Sequence, residues 1–155
     1  MKGQRQTGST RYGYSACENW GDREVRKEGI LNTDICWAIS SLGHTDYLVI
    51  ADPGLPIPDH VTVIDISLVK GVPGFTEVFD AVTGELVIDS YIYAEEMESS
   101  GAELLKYVQD RLAGVPAQKI PHEDLKHILP KAKVIIRTGE CTPYANVILE
   151  GGVNF

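Results

Sequence analysis

No apolar run in the sequence approaches the roughly 18 residues needed to cross a bilayer. The opening stretch "MKGQRQTGSTRYGYSACENW" holds no apolar segment of the kind that directs secretion. Cysteine is scarce: there are three, Cys17, Cys36 and Cys141, an odd number with no CxxC pair. That spacing supports neither a disulfide framework nor a cysteine-based zinc site, so the thiols are expected to be reduced. Neither GxxxxGK[ST] nor GxGxxG occurs, so the loops that cradle nucleotide phosphates have no counterpart here. Internal repeats and an interdomain linker are also absent. A cytoplasmic, single-domain protein without a cofactor or metal is the expectation that these absences leave.

The hydrophobic fraction is 43% over 155 residues, enough for a sizeable core. Charge is unevenly spread. Residues 1–28 hold six Lys/Arg and four Asp/Glu, net +2, while residues 29–155 hold eight and eighteen, net −10, for a total of −8. A body this acidic repels a phosphate backbone, which argues against nucleic acid as a partner. Residues 1–24 lack apolar periodicity and read as a polar N-terminal extension.

Regular patterning begins at "ILNTDICWAISSLGH", where Ile35, Ala38, Ile39 and Leu42 share one helical face. Asn32, Thr33 or Asp34 can cap its start, and Gly43 suits a left-handed residue at its end, leaving His44 just beyond the helix. The continuous apolar run "YLVIA" (47–51) fits a strand buried on both faces. Further strands are expected at 61–67, 86–94, 132–139 and 146–152, and further helices near 75–83, 100–114 and 122–130. Strands interleaved with helices define an α/β domain with a mixed or largely parallel central sheet flanked by helices in three layers. Ligands of such sheets sit beyond the carboxyl ends of the strands, which draws attention to Asp52 and to the loop "GECTPYAN".

The motif "HEDLKH" is superficially like HExxH, but His122 and His127 are five residues apart. Five residues turn about 500° around a helix, so the two rings diverge by roughly 140° and cannot share a metal. Cys141 is a conceivable nucleophile, although nothing local marks an activated thiolate. The remaining candidates are neutral hydrogen-bonding groups and one carboxylate. Each has a bland alternative: His44 as a cap beside Asp46, Asp52 as a turn former before Pro-Gly, Tyr144 as a half-buried ring, Asn146 as a turn residue.

Two long segments give these positions a common meaning. "GILNTDICWAISSLGHTDYLVIADPGLPIP" (29–58) and "VIIRTGECTPYANVILEGGVNF" (134–155) resemble the two ends of the D-ribose pyranase family, related in turn to the L-fucose mutarotases. "GVPGF" and "AEEM" lie between them in the expected order, and "LPIP" with "GECTPYAN" favours the ribose branch. The resemblance covers roughly residues 25–155 and implies interconversion of pyranose and furanose D-ribose without a cofactor. By motif it implies that His44 is the proton donor and that Asp52, His122, Tyr144 and Asn146 contact the sugar. It also implies a ring-shaped homo-oligomer, described for the family as a decamer, with sites completed by a neighbouring subunit. Two departures stand out: Pro53 in place of a small residue, and residues 1–24, which precede the usual family start. "VRKEGILN" resembles such a start with valine for methionine, so translation from a GTG codon at Val25 is expected, with the leader an artefact of the gene call or a tag; an intact Met1 peptide from cells would contradict it.

Overall fold

A computed structural model describes residues 28–155; the expected extension and the Val25 start lie outside the described residues. The chain runs α1 (Thr33–Ser41), β1 (Tyr47–Ala51), β2 (Thr62–Asp65), α2 (Phe75–Thr83), β3 (Ile88–Ala94), α3 (Met97–Ser100), α4 (Ala102–Arg111), β4 (Ala117–Ile120), α5 (His122–Ile128), a 3-10 turn (Leu129–Lys131), β5 (Ala132–Arg137) and β6 (Val147–Gly151). The six strands form one sheet in the order β2-β5-β1-β6-β3-β4. β1 and β2 pair parallel to β5, β3 pairs parallel to β4, and β6 runs antiparallel to both β1 and β3. The expected mixed α/β sheet is present, with β6 as its one reversed strand.

Period-two alternation divides the core. Leu48 and Ile50 face one side with Phe75, Phe79, Val108 and the other apolar residues of α1, α2 and α4. Val49, Ala51, Ile135 and Ile148 face the other, where Leu125 of α5 and Leu129 cover them. These β1 residues are fully buried, as expected for a strand covered on both faces.

Asn32 is the cap of α1: its side-chain oxygen accepts from the backbone N–H groups of Asp34 and Ile35, each at 3.0 Å. Gly43, by contrast, does not end the helix in a left-handed conformation. Leu42 turns the chain extended at ψ 132, and the left-handed residue is Thr45 at φ 68. Two elements were absent from the sequence expectations, the single-turn α3 and the edge strand β4.

Candidate functional site

Because β6 is reversed, its amino end joins the carboxyl ends of the five parallel strands on one edge of the molecule. Asp52 leaves β1 there, Asn146 enters β6, and His122 follows β4. Asp52 and Asn146 clasp each other twice: the Asp52 N–H donates to Asn146 Oδ1 at 3.0 Å, and Asn146 Nδ2 donates to Asp52 Oδ2 at 2.9 Å. Asn146 is 1% exposed, so this clasp is the anchor of the group. The other carboxylate oxygen of Asp52 accepts from the Gly54 N–H at 2.8 Å. Each oxygen retains a lone pair for an incoming hydroxyl. Pro53 occupies the second position of the turn that Leu55 N closes on Asp52 O, a place its fixed φ suits, and buried Leu55 pins the loop from below.

His122 is the first residue of α5, and its backbone N–H donates to both carboxylate oxygens of Glu96, at 2.9 and 3.2 Å. Its ring meets Tyr144 edge to face, with centroids 5.0 Å apart. Among the described residues, Nδ1 of His122 is buried with no hydrogen-bond partner. Tyr144 is held at φ 62, an unusual conformation for a side chain of its size.

Glu140 sets the loop that carries Tyr144. Its carboxylate accepts from the backbone of Cys141 at 2.8 Å, Thr142 at 2.9 Å and Phe75 at 3.0 Å, and from Thr142 Oγ1 at 3.0 Å. Burial pushes its pKa up, but these donors together outweigh burial and hold the carboxyl below the ordinary glutamate range. A cavity of about 560 Å³ opens beside Asp52, with Ser67, Leu68, Lys70, Glu140 and Cys141 among its walls. A smaller one, about 190 Å³, lies under α1 and α2 among Ile30, Ile35 and Val78, away from the polar group. Cys141 is exposed, its sulfur 3.7 Å from the Gly139 carbonyl oxygen. His127 points to solvent with its side chain 82% exposed, so it and His122 diverge.

His44 stands apart from the other four candidates. It precedes β1, whereas Asp52 follows it, and five strand residues at about 3.3 Å each separate the two by roughly 16 Å. A rigid turn displays it. The Asp46 carboxylate accepts from the Gly43 N–H at 2.8 Å and from Lys133 Nζ at 2.9 Å, and Lys133 also reaches the Ser41 carbonyl. The Gly43 N–H first, and Lys133 with it, hold Asp46 below the usual carboxylate range. Thr45 donates its N–H to Gly151 O at 2.9 Å. The exposed ring of His44 places Nε2 2.9 Å from Asp89 Oδ2. Asp89, Glu96 and Glu140 were not anticipated as supports. "AEEM" and "GECTPYAN" contained the last two, but nothing in their spacing said which backbone they would cap.

Fold and site thus define a small α/β protein with a cluster of hydrogen-bonding groups suited to a polyhydroxylated ligand. A family model, the RbsD / FucU transport protein family, matches residues 25–154, and the chain belongs to that family. It is 50% identical over 131 residues to the D-ribose pyranase of Geobacillus kaustophilus (strain HTA426), covering 84% of this chain and 96% of that protein. It is 47% identical to the D-ribose pyranase of Cutibacterium acnes (strain DSM 16379 / KPA171202), covering 84% of this chain and all of that one. Among solved structures, Bacillus subtilis RbsD complexed with D-ribose superposes with a TM-score of 0.81 at 41% identity, covering 84% of this chain and 100% of that one. A fucose mutarotase of Streptococcus pneumoniae, solved with L-fucose, shares the fold with a TM-score of 0.66 at 22% identity, over 80% of this chain and 94% of that one.

Proposed function

We propose that the protein is a D-ribose pyranase, an isomerase that interconverts the pyranose and furanose forms of D-ribose. The observation that carries this reading is the likeness, at 41–50% identity and over nearly their whole length, to proteins named for that activity or solved with that sugar. The chemistry agrees with the groups at hand. A cyclic hemiacetal opens when its ring oxygen gains a proton and its anomeric hydroxyl loses one. Reclosure through a different hydroxyl changes the ring size, and neither electrons nor a covalent enzyme bond is involved. Positioned acid/base groups contribute about 10²–10⁴-fold to such steps, and imidazole is the side chain whose ordinary titration falls nearest neutrality.

In this proposal Asp52, Asn146, His122 and Tyr144 hold the sugar. The Asp52 oxygens accept its hydroxyls, and the His122 and Tyr144 rings, packed edge to face, supply further contacts. His44 moves the proton. Its distance from the other four within one chain supports a site made by two copies, in which the His44 turn of one faces the Asp52 edge of the next. A ring-shaped homo-oligomer, a decamer by resemblance, supplies that arrangement, with residues 25–155 as the repeating unit.

Saturation-transfer NMR between the pyranose and furanose signals of D-ribose tests the activity. The expected result is accelerated exchange with the wild type and none with a folded His44→Ala. Ribose binding without faster exchange would instead describe a non-catalytic binding accessory, and retained exchange in His44→Ala would remove His44 from its role. Exchange abolished by iodoacetamide and by Cys141→Ala would redirect the chemistry to the thiol.

A further inference from the structure

The side of the sheet that carries His44 has a supporting structure of its own, distinct from the Asp52 edge. Asp89 is the second residue of β3, where Ile88 pairs with Gly151 and Ser90 with Glu150. Asp89 is therefore an extra residue against β6, a bulge of the kind that re-aims a side chain. Its carboxylate is turned toward Gly152 on one side and His44 on the other. A Cβ added at 152 would stand 2.9 Å from Asp89 Cγ, 3.0 Å from Val87 Cγ1 and closer still to Asp89 Oδ1. Gly152 does not need to be glycine for a left-handed backbone, since it is not among the residues with positive φ. Its missing side chain is the clearance in which the Asp89 carboxylate sits. On the other side, Thr45 at φ 68 and its bond to Gly151 hold the His44 turn against the same end of β6.

We propose that Asp89 is a positioning residue for His44, and that Gly152 is the space that lets it serve. An ionised carboxylate only accepts, so the 2.9 Å contact at Nε2 requires the proton on that nitrogen. The neutral ring then carries its lone pair on Nδ1, and Nδ1 is the nitrogen that exchanges a proton with the sugar. Asp89 bonds to the His44 ring and lies apart from the Asp52 group. It selects the tautomer and fixes the ring plane, as outer partners of an imidazole commonly do, with effects of about 10–100-fold when removed.

This inference rests on His44 being the proton-transfer group, and the experiment separates the two. A wild type that fails to accelerate pyranose–furanose exchange defeats that underlying reading. Given an active wild type, Asp89→Ala is expected to lower kcat by about 10–100-fold with KM changed less than threefold. Asp89→Asn keeps the volume, but its amide can donate to Nε2 as well as accept from it, so the tautomer preference is lost and kcat should fall as in Asp89→Ala. Gly152→Ala should mimic Asp89→Ala, because a carboxylate yields to a methyl group more readily than backbone does, and the double variant should be no slower than Asp89→Ala alone. Nitrogen-15 NMR of the His44 ring in its neutral form should show Nε2 protonated in the wild type and that preference lost in Asp89→Ala. An Asp89→Ala protein with wild-type kcat, an unchanged tautomer on removing the carboxylate, or additive losses in the double variant would each overturn the proposal.

Discussion

At the scale of single residues, the clasp between Asp52 and Asn146 decides the most. It converts a strand end and a strand start into one surface, and it satisfies both the oxygen and the nitrogen of the buried Asn146 amide. Asn146→Ala is expected to lower stability by about 1–3 kcal/mol, the range for orphaning a buried donor, read as a shifted denaturant midpoint. Asn146→Asp should weaken ribose binding more than Asn146→Ala does, because it sets a second carboxylate against Asp52 in place of the amide donor; calorimetric titration orders the two. Asp52 and Asn146 were visible in the sequence as candidates because both sit at element boundaries. Their mutual bond was not, since 94 residues separate them and only the sheet order joins them. Among the described residues, both non-glycine residues at positive φ, Thr45 and Tyr144, flank or belong to the candidate positions. Such strain persists only where the surroundings impose it, and neither conformation is readable from residue type.

At the scale of elements, the segment from Thr138 to Asn146 is a loop built around one anion. Glu140 gathers its own backbone and also the first N–H of α2, and so ties the β5–β6 connection to a helix on the other flank. With its carboxyl held below the ordinary glutamate range, its stabilisation is fully present above that range and fades as pH falls through the depressed value of the folded state. Glu140→Gln should therefore cost about 1–3 kcal/mol near neutrality and flatten the loss of stability in acid, seen by comparing denaturation midpoints at pH 7 and below pH 4. A variant whose acid dependence matches the wild type would remove Glu140 from that role. Element existence was largely legible. The apolar runs at 47–51 and 134–136 and the helical faces of α1 and α2 appear where periodicity placed them. β4 escaped because three of its four residues are exposed at the sheet edge, which leaves no alternation to read. Gly43 misled because a helix can also end by turning extended, as Leu42 does.

At the scale of the whole molecule, the placement of His44 is the decisive fact. Motif resemblance put five residues in one site, and the fold puts four at one end of the sheet and the fifth at the other. No pattern in a single sequence contains that separation, because it depends on which end of β1 each residue occupies and on β6 being reversed. The two facts are reconciled if the catalytic unit is a contact between copies, for which exposed Leu31, Trp37 and Leu68 offer apolar surface. A ring of ten would run in solution at ten times the 17.0 kDa chain mass.

The most direct test is complementation between two inactive variants. His44→Ala keeps an intact Asp52 edge, and Asp52→Ala keeps an intact His44 turn. Each alone should leave pyranose–furanose exchange at the uncatalysed rate. When the two are unfolded together, refolded as an equal mixture and allowed to assemble at random, about a quarter of the shared sites combine both intact halves, and exchange should return to about a quarter of the wild-type rate. A mixture that assembles to the wild-type mass yet stays as inactive as its components would contradict a site built from two copies.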